Sequence, residues 1–132
     1  MKRVLVIEDS HNHSQVLRYN LEEQNYQVVV ITDRCEAYQA LEENKPDLIV
    51  LDFCVADNES IELCKSFKKS NRFFDTPVIV FSSENNLRFM LKAYEAGADY
   101  YIVKDEEGNK VLRVLADSIF TRRSRPRLSL TA

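Results

Sequence analysis

Five polar side chains gather at the ends of four short apolar runs: Glu8 and Asp9 after Val4–Ile7, Asp52 after Leu48–Leu51, Ser82 after Val78–Phe81, and Lys104 after Tyr100–Val103. Taken singly, a polar residue in such a place caps the next helix or meets water. Taken together they supply three acids, a hydroxyl and an ammonium. Carboxylates that share a site raise one another's pKa unless a cation lies among them, and a hard divalent ion removes that repulsion. Magnesium is satisfied by one or two carboxylates, a carbonyl, waters and a phosphate; calcium asks for more protein oxygens, and zinc for nitrogen or sulfur. Lys104 then gives a fixed positive charge opposite the metal and Ser82 a neutral donor, a setting that stabilises a phosphoryl group on all its oxygens. Asp52 is the carboxylate left to act as nucleophile.

The elements that must position these groups follow from the apolar runs. Val4–Ile7, Leu48–Leu51 and Val78–Phe81 are continuous and not alternating, as in strands buried on both faces of a parallel sheet, and Val28–Ile31 and Tyr100–Val103 supply two more. Helical spacing lies between them, clearest at Leu87, Met90, Leu91 and Tyr94 and again at Val111, Leu112, Leu115 and Ile119. Ser10 is placed to cap the first helix, Pro46 precedes the third strand, Pro77 opens the fourth, and Gly97 ends the fourth helix. Five β-α units with short connections predict right-handed crossovers and an α/β, doubly wound, three-layer domain. In such a fold a ligand sits beyond the carboxyl ends of the strands, where the polar residues are.

Composition narrows the function classes. The 132 residues suit one domain, and no apolar run exceeds four residues, against the roughly 20 of a membrane helix. The beginning, Met1-Lys2-Arg3 and a short apolar run, lacks a secretory signal, so a cytoplasmic location is expected. Cys35, Cys54 and Cys64 form an odd set without a CxxC pair, which suggests reduced, mostly buried thiols. Of 18 basic side chains four are arginines at 122, 123, 125 and 127, leaving 14 against 21 acids in residues 1–121. An acidic body argues against nucleic acid as a direct partner, and the basic segment 122–132 is expected to be a solvated tail or the start of a linker. His11 and His13 flank the acidic corner but belong to the exposed start of the first helix. The aromatic set Tyr26, Tyr38, Phe67, Phe73, Phe74 and Phe89 is expected to be core and half-buried surface.

Four segments, VLVIEDS at 4–10, PDLIVLDF at 46–53, TPVIVFSS at 76–83 and GADYYIVKD at 97–105, resemble in order and separation the receiver domains of two-component response regulators. The resemblance runs from Lys2 to about Thr121, giving a receiver domain over residues 1–121. It implies a flavodoxin-like five-stranded parallel sheet of order 2-1-3-4-5 and a phosphorelay switch. By that likeness Asp52 is the phosphoacceptor, and Asp9, Asp52 and the backbone carbonyl of Cys54 hold magnesium, with manganese as an alternative. Glu8 acts mainly through a bound water. Ser82 is the hydroxyl that moves to the phosphoryl group, Lys104 the lysine that pairs with it, and Tyr101 the aromatic switch residue. Cys54 and Glu84, two positions beyond Asp52 and Ser82, match places that tune the lifetime of the acyl phosphate. The implied partners are a histidine kinase or histidine phosphotransfer protein and a downstream output protein or domain. They meet a switching surface of helix four, strand five and helix five, with a phosphorylation-dependent homodimer left open. The sequence departs from the family's wording at Ala56, Ser60 and Asp105, where proline, glycine and proline are common. The Asp105 change leaves open whether the Lys104–Asp105 bond is cis or trans.

Rival functions on the same layers fit less well. A phosphatase with an aspartyl intermediate needs a second aspartate where Cys54 stands, and with Gly97 and Gly108 the only glycines, no GxGxxG cradles a dinucleotide or flavin. A pure interaction module would not need Glu8, Asp9, Asp52, Ser82 and Lys104 together.

Overall fold

The computed structural model describes residues 1–8, 11–53 and 58–124, with the backbone alone at 11–16, 53, 58, 123 and 124. The five apolar runs become five strands: β1 (Arg3–Glu8), β2 (Gln27–Ile31), β3 (Leu48–Phe53), β4 (Val78–Ser82) and β5 (Tyr100–Val103). All pairings are parallel, and the sheet order is β2-β1-β3-β4-β5, the expected one. Between them run α1 (His11–Glu22), α2 (Ala37–Asn44) after a 3-10 turn at Arg34–Glu36, α3 (Asn58–Lys69), α4 (Leu87–Glu95) and α5 (Gly108–Ser124).

Successive strand residues point to opposite faces, so continuous apolar runs feed two cores at once. Val4, Val6, Leu48, Val50, Ile79, Phe81 and Ile102 pack under Leu17 and Leu21 of α1 and Leu112, Ala116 and Ile119 of α5. Leu5, Ile7, Ile49, Leu51, Val78 and Val80 face the other way, onto Leu41 of α2, Phe67 of α3 and Ala93 of α4. The three layers thus follow from strand parity.

Chain reversals at the far edge fix where each strand starts. Lys45 ends α2 in the left-handed region (φ 44°), its N–H on the Leu41 carbonyl at 2.9 Å, and Pro46 follows. Gly97 (φ 104°) ends α4, and a Cβ there would stand 2.7 Å from Lys68 Cγ, so both conformation and close approach require glycine. The Lys68 ammonium reaches Asp99 at 2.7 Å and the Thr76 carbonyl at 2.8 Å, and Asp99 accepts from the Val78 N–H at 2.8 Å. That clasp ties α3 to the starts of β4 and β5.

On α4 the apolar spacing identifies the helix but not its packed side. Leu87, Leu91 and Tyr94 are exposed, while Phe89, Ala93 and Ala96 turn toward the core. Among the aromatics Phe67 and Phe73 are buried, but Tyr38 and Phe74 are exposed. The cysteines divide as well: Cys64 is buried and Cys35 is exposed on the 3-10 turn, so the expectation of mostly buried thiols holds for one of the two described. Ser10, Cys54, Ala56 and the tail from residue 125 lie outside the described residues, as do the side chains of His11 and His13.

Candidate functional site

The register of the sheet assembles the site. β1 and β3 pair with Glu8 opposite Asp52, and β3 and β4 pair with Asp52 opposite Phe81. Glu8 continues the parity of Val4 and Val6, and Asp52 that of Leu48 and Val50, so both carboxylates emerge on the α1/α5 face at the carboxyl edge. Each is 1% exposed. Lys104 enters from the end of β5. Its N–H donates to the Ser82 carbonyl at 2.8 Å, and the Asp105 N–H returns to the Val103 carbonyl at 2.9 Å, closing a three-residue turn with Lys104 at its apex. The Asp105 carboxylate accepts from the Glu107 N–H at 3.0 Å, and its carbonyl from the Gly108 N–H at 3.1 Å, which starts α5 at once. The Lys104–Asp105 peptide bond is trans.

From that turn the Lys104 ammonium forms an ion pair with Asp52 and lies 3.9 Å from Glu8. Among the described residues two buried carboxylates therefore share this ammonium, so the described acids outnumber the described base where water is scarce. Buried charge is costly unless balanced, so the pair has room electrostatically for a cation. The described donors are hard carboxylate oxygens, a set that fits magnesium or manganese and not zinc. Glu8 and Asp52 are the acids of this corner among the described residues, and no described group of three His, Cys, Asp or Glu side chains forms a cluster. Asp9 and the Cys54 carbonyl, the other expected ligands, lie outside the described residues.

Ser82 and Tyr101 occupy the opposite face. Ser82 continues the parity of Val78 and Val80, is fully buried, and its Oγ accepts from the Glu84 N–H at 3.1 Å. Tyr101 packs edge-on against Phe89, centroids 5.9 Å apart, and its hydroxyl donates to the Glu84 carbonyl at 2.7 Å. Burial pushes the Tyr101 hydroxyl pKa up, a hydrogen bond from the Ser82 side opposes this, and the Glu84 charge adds to it. One peptide segment at Glu84 thus touches both the hydroxyl residue and the aromatic one. The Glu84 carboxylate itself turns back along the loop, accepting from the Asn86 N–H at 2.9 Å, while Asn86 caps α4 by accepting from the Arg88 N–H at 2.8 Å.

The structure thus brings Glu8, Asp52 and Lys104 into one charged corner and places Ser82, Glu84 and Tyr101 in a hydrogen-bonded relay behind it. Sequence reading missed Phe81, whose ring lies 5.5 Å from the Lys104 ammonium. The available signal was its position, next to Ser82 and in the strand beside Asp52. Beyond Tyr101 a groove of about 530 Å³ opens between α4 and α5, floored by Tyr100 and Ile102 and walled by Tyr94, Val111 and Val114.

Comparison with known proteins bears on the family and the fold. The family model for the response regulator receiver domain matches residues 4–116. The alkaline phosphatase synthesis transcriptional regulatory protein PhoP of Bacillus subtilis is 34% identical over 103 residues, 78% of this chain and 42% of that protein. The chain spans less than half the length of the curated relatives it matches. Among solved structures, the signal receiver domain of a signal transduction histidine kinase from Syntrophus aciditrophicus superposes with TM-score 0.82 at 27% identity, covering 100% of this chain and 98% of that one. A two-component response regulator from Clostridium difficile gives TM-score 0.83 at 25% identity, covering 95% and 100%.

Proposed function

The chain belongs to the response regulator receiver-domain family, and from that premise we propose that Asp52 accepts a phosphoryl group from a histidine kinase or histidine phosphotransfer protein. The single observation that supports this reading best is the buried Asp52, in register with Glu8 and ion-paired to Lys104.

In the transfer a carboxylate oxygen of Asp52 attacks phosphorus in line with the donor nitrogen. The P–N bond breaks as the P–O bond forms, yielding an acyl phosphate and a free imidazole. Lys104 brings its positive charge to the phosphoryl oxygens, and the buried corner makes that charge count for more than it would in water. Receiver domains generally bind a divalent metal, and here Glu8, Asp9, Asp52 and the Cys54 carbonyl would hold it. Once bound, magnesium or manganese neutralises charge on the phosphoryl oxygens.

Ser82 must turn its hydroxyl toward the phosphoryl group, which loosens its contact with the Glu84 N–H. Glu84 also holds the Tyr101 hydroxyl, so the shift reaches Tyr101, Phe89 and the α4/β5/α5 groove, where an output protein or domain reads it. Glu84 and Cys54 are proposed to tune how long the acyl phosphate lasts. No described helix is long and apolar enough to cross a membrane, and the proposed setting is the cytoplasm.

The test is phosphorylation by a small phosphodonor in magnesium, read by intact mass. Wild type is expected to gain one phosphoryl group per chain and Asp52→Asn none; equal uptake by both would refute the assignment.

A further inference from the structure

We propose that Phe81 is a positioning residue for Lys104, holding the ammonium against its ring face at the place from which it reaches Asp52. The mechanistic consequence rests on the phosphoryl-transfer reading above; the contact itself does not.

The ring lies 5.5 Å from the ammonium and is 4% exposed, and the Lys104 side chain is 14% exposed. An aromatic face carries negative charge density and attracts a cation, more strongly as water is removed. Lysine has a long flexible stem, and the two carboxylates specify where its charge is drawn without specifying which path the stem takes. The ring supplies that constraint. Its own placement is enforced by the start of α5: a Cβ on Gly108 would stand 3.2 Å from Phe81 Cε2 and 2.7 Å from the Val103 carbonyl oxygen. The glycine therefore lets α5 close against the ring edge while the ring face stays with Lys104. Because Phe81 is the β4 partner of Asp52 in the register, ring, ammonium and carboxylate are carried by adjacent strands.

A core-packing role for Phe81 makes a different prediction, because packing depends on shape and a cation's attraction to a ring depends on its electrons. Phenylalanines with progressively more ring fluorine keep the shape and drain the face of negative charge. In the intact chain carrying this series at position 81, the order of the Lys104 ε-methylene, measured by NMR relaxation without metal, is expected to fall stepwise. The phosphorylation rate with a small phosphodonor and magnesium is expected to fall with it, by about three- to tenfold at full fluorination. Phe81→Leu should behave as the fluorinated end, with unfolding midpoints of the fluorinated series unchanged. An ε-methylene order that stays flat across the series overturns the proposal, whatever the rate does. A chain that takes up no phosphoryl group at all sinks the phosphoryl-transfer reading instead, while the metal-free relaxation still decides the role of Phe81.

Discussion

At the scale of single residues the site is a problem of charge balance. Glu8 and Asp52 are both buried and share the ammonium of Lys104. Removing the amine leaves two like charges in a dry corner, so Lys104→Met is expected to lose about 3 kcal/mol of stability in chelator, by urea denaturation. Removing one acid has the opposite sign: among the described groups Asp52→Asn leaves Glu8 facing Lys104, and it should raise the urea midpoint in chelator. Adding magnesium should then raise the wild-type midpoint and leave the Asn variant nearly unmoved, since a ligand stabilises only the form that binds it. Glu8, Asp52 and Lys104 were legible because each polar residue ends an apolar run, and parallel strands bring those ends to one edge. Phe81 was not, since an apolar residue inside a strand looks like core until the register shows what stands beside it.

At the scale of elements, the loop from Ser82 to α4 is braced by side chains that accept from its own backbone. Asn86→Ala removes the cap of α4 and is expected to cost about 1 kcal/mol, with faster amide exchange confined to the first turn of α4 and no loss of the ability to take up a phosphoryl group. Gly108→Ala should cost more, because its Cβ would collide with backbone and not with a flexible side-chain end. The strands were legible as continuous apolar runs. Helix α4 was legible as a helix, but its apolar stripe of Leu87, Leu91 and Tyr94 faces out. Periodicity reports that a helix has an apolar side, and only the position of the sheet tells which side is covered.

At the scale of the whole molecule, contacts distant in sequence hold the layers to the sheet. The Tyr26 hydroxyl donates to Asp117 on α5, joined by Gln24 at 2.9 Å, and the Tyr26 ring packs edge-on to Phe120 at 4.8 Å. Burial, then Asp117, pushes the Tyr26 hydroxyl well above its ordinary value of 10, and burial pushes the Cys64 thiol from 9 up to about 11. Both groups are neutral when protonated, so unfolding releases their protons more readily than the native state does. Their contribution to stability is whole below pH 9 and fades as pH climbs toward and past 11. The urea midpoint should fall across that window, with a shallower fall in Tyr26→Phe and Cys64→Ala. In a Cys54→Ser variant, alkylation below pH 9 should modify Cys35 and spare Cys64 until the chain unfolds. None of these long-range ties was visible in the sequence, where Tyr26 and Asp117 are ordinary polar and aromatic positions on separate elements.

Asp52 is the group we propose to carry the phosphoryl signal. The most direct measurement is borohydride trapping, which reduces an aspartyl acyl phosphate to homoserine, followed by peptide sequencing of the phosphorylated chain. Homoserine at position 52 and at no other acid is the expected result. Homoserine elsewhere, or a stably phosphorylated chain that yields none, would contradict the account.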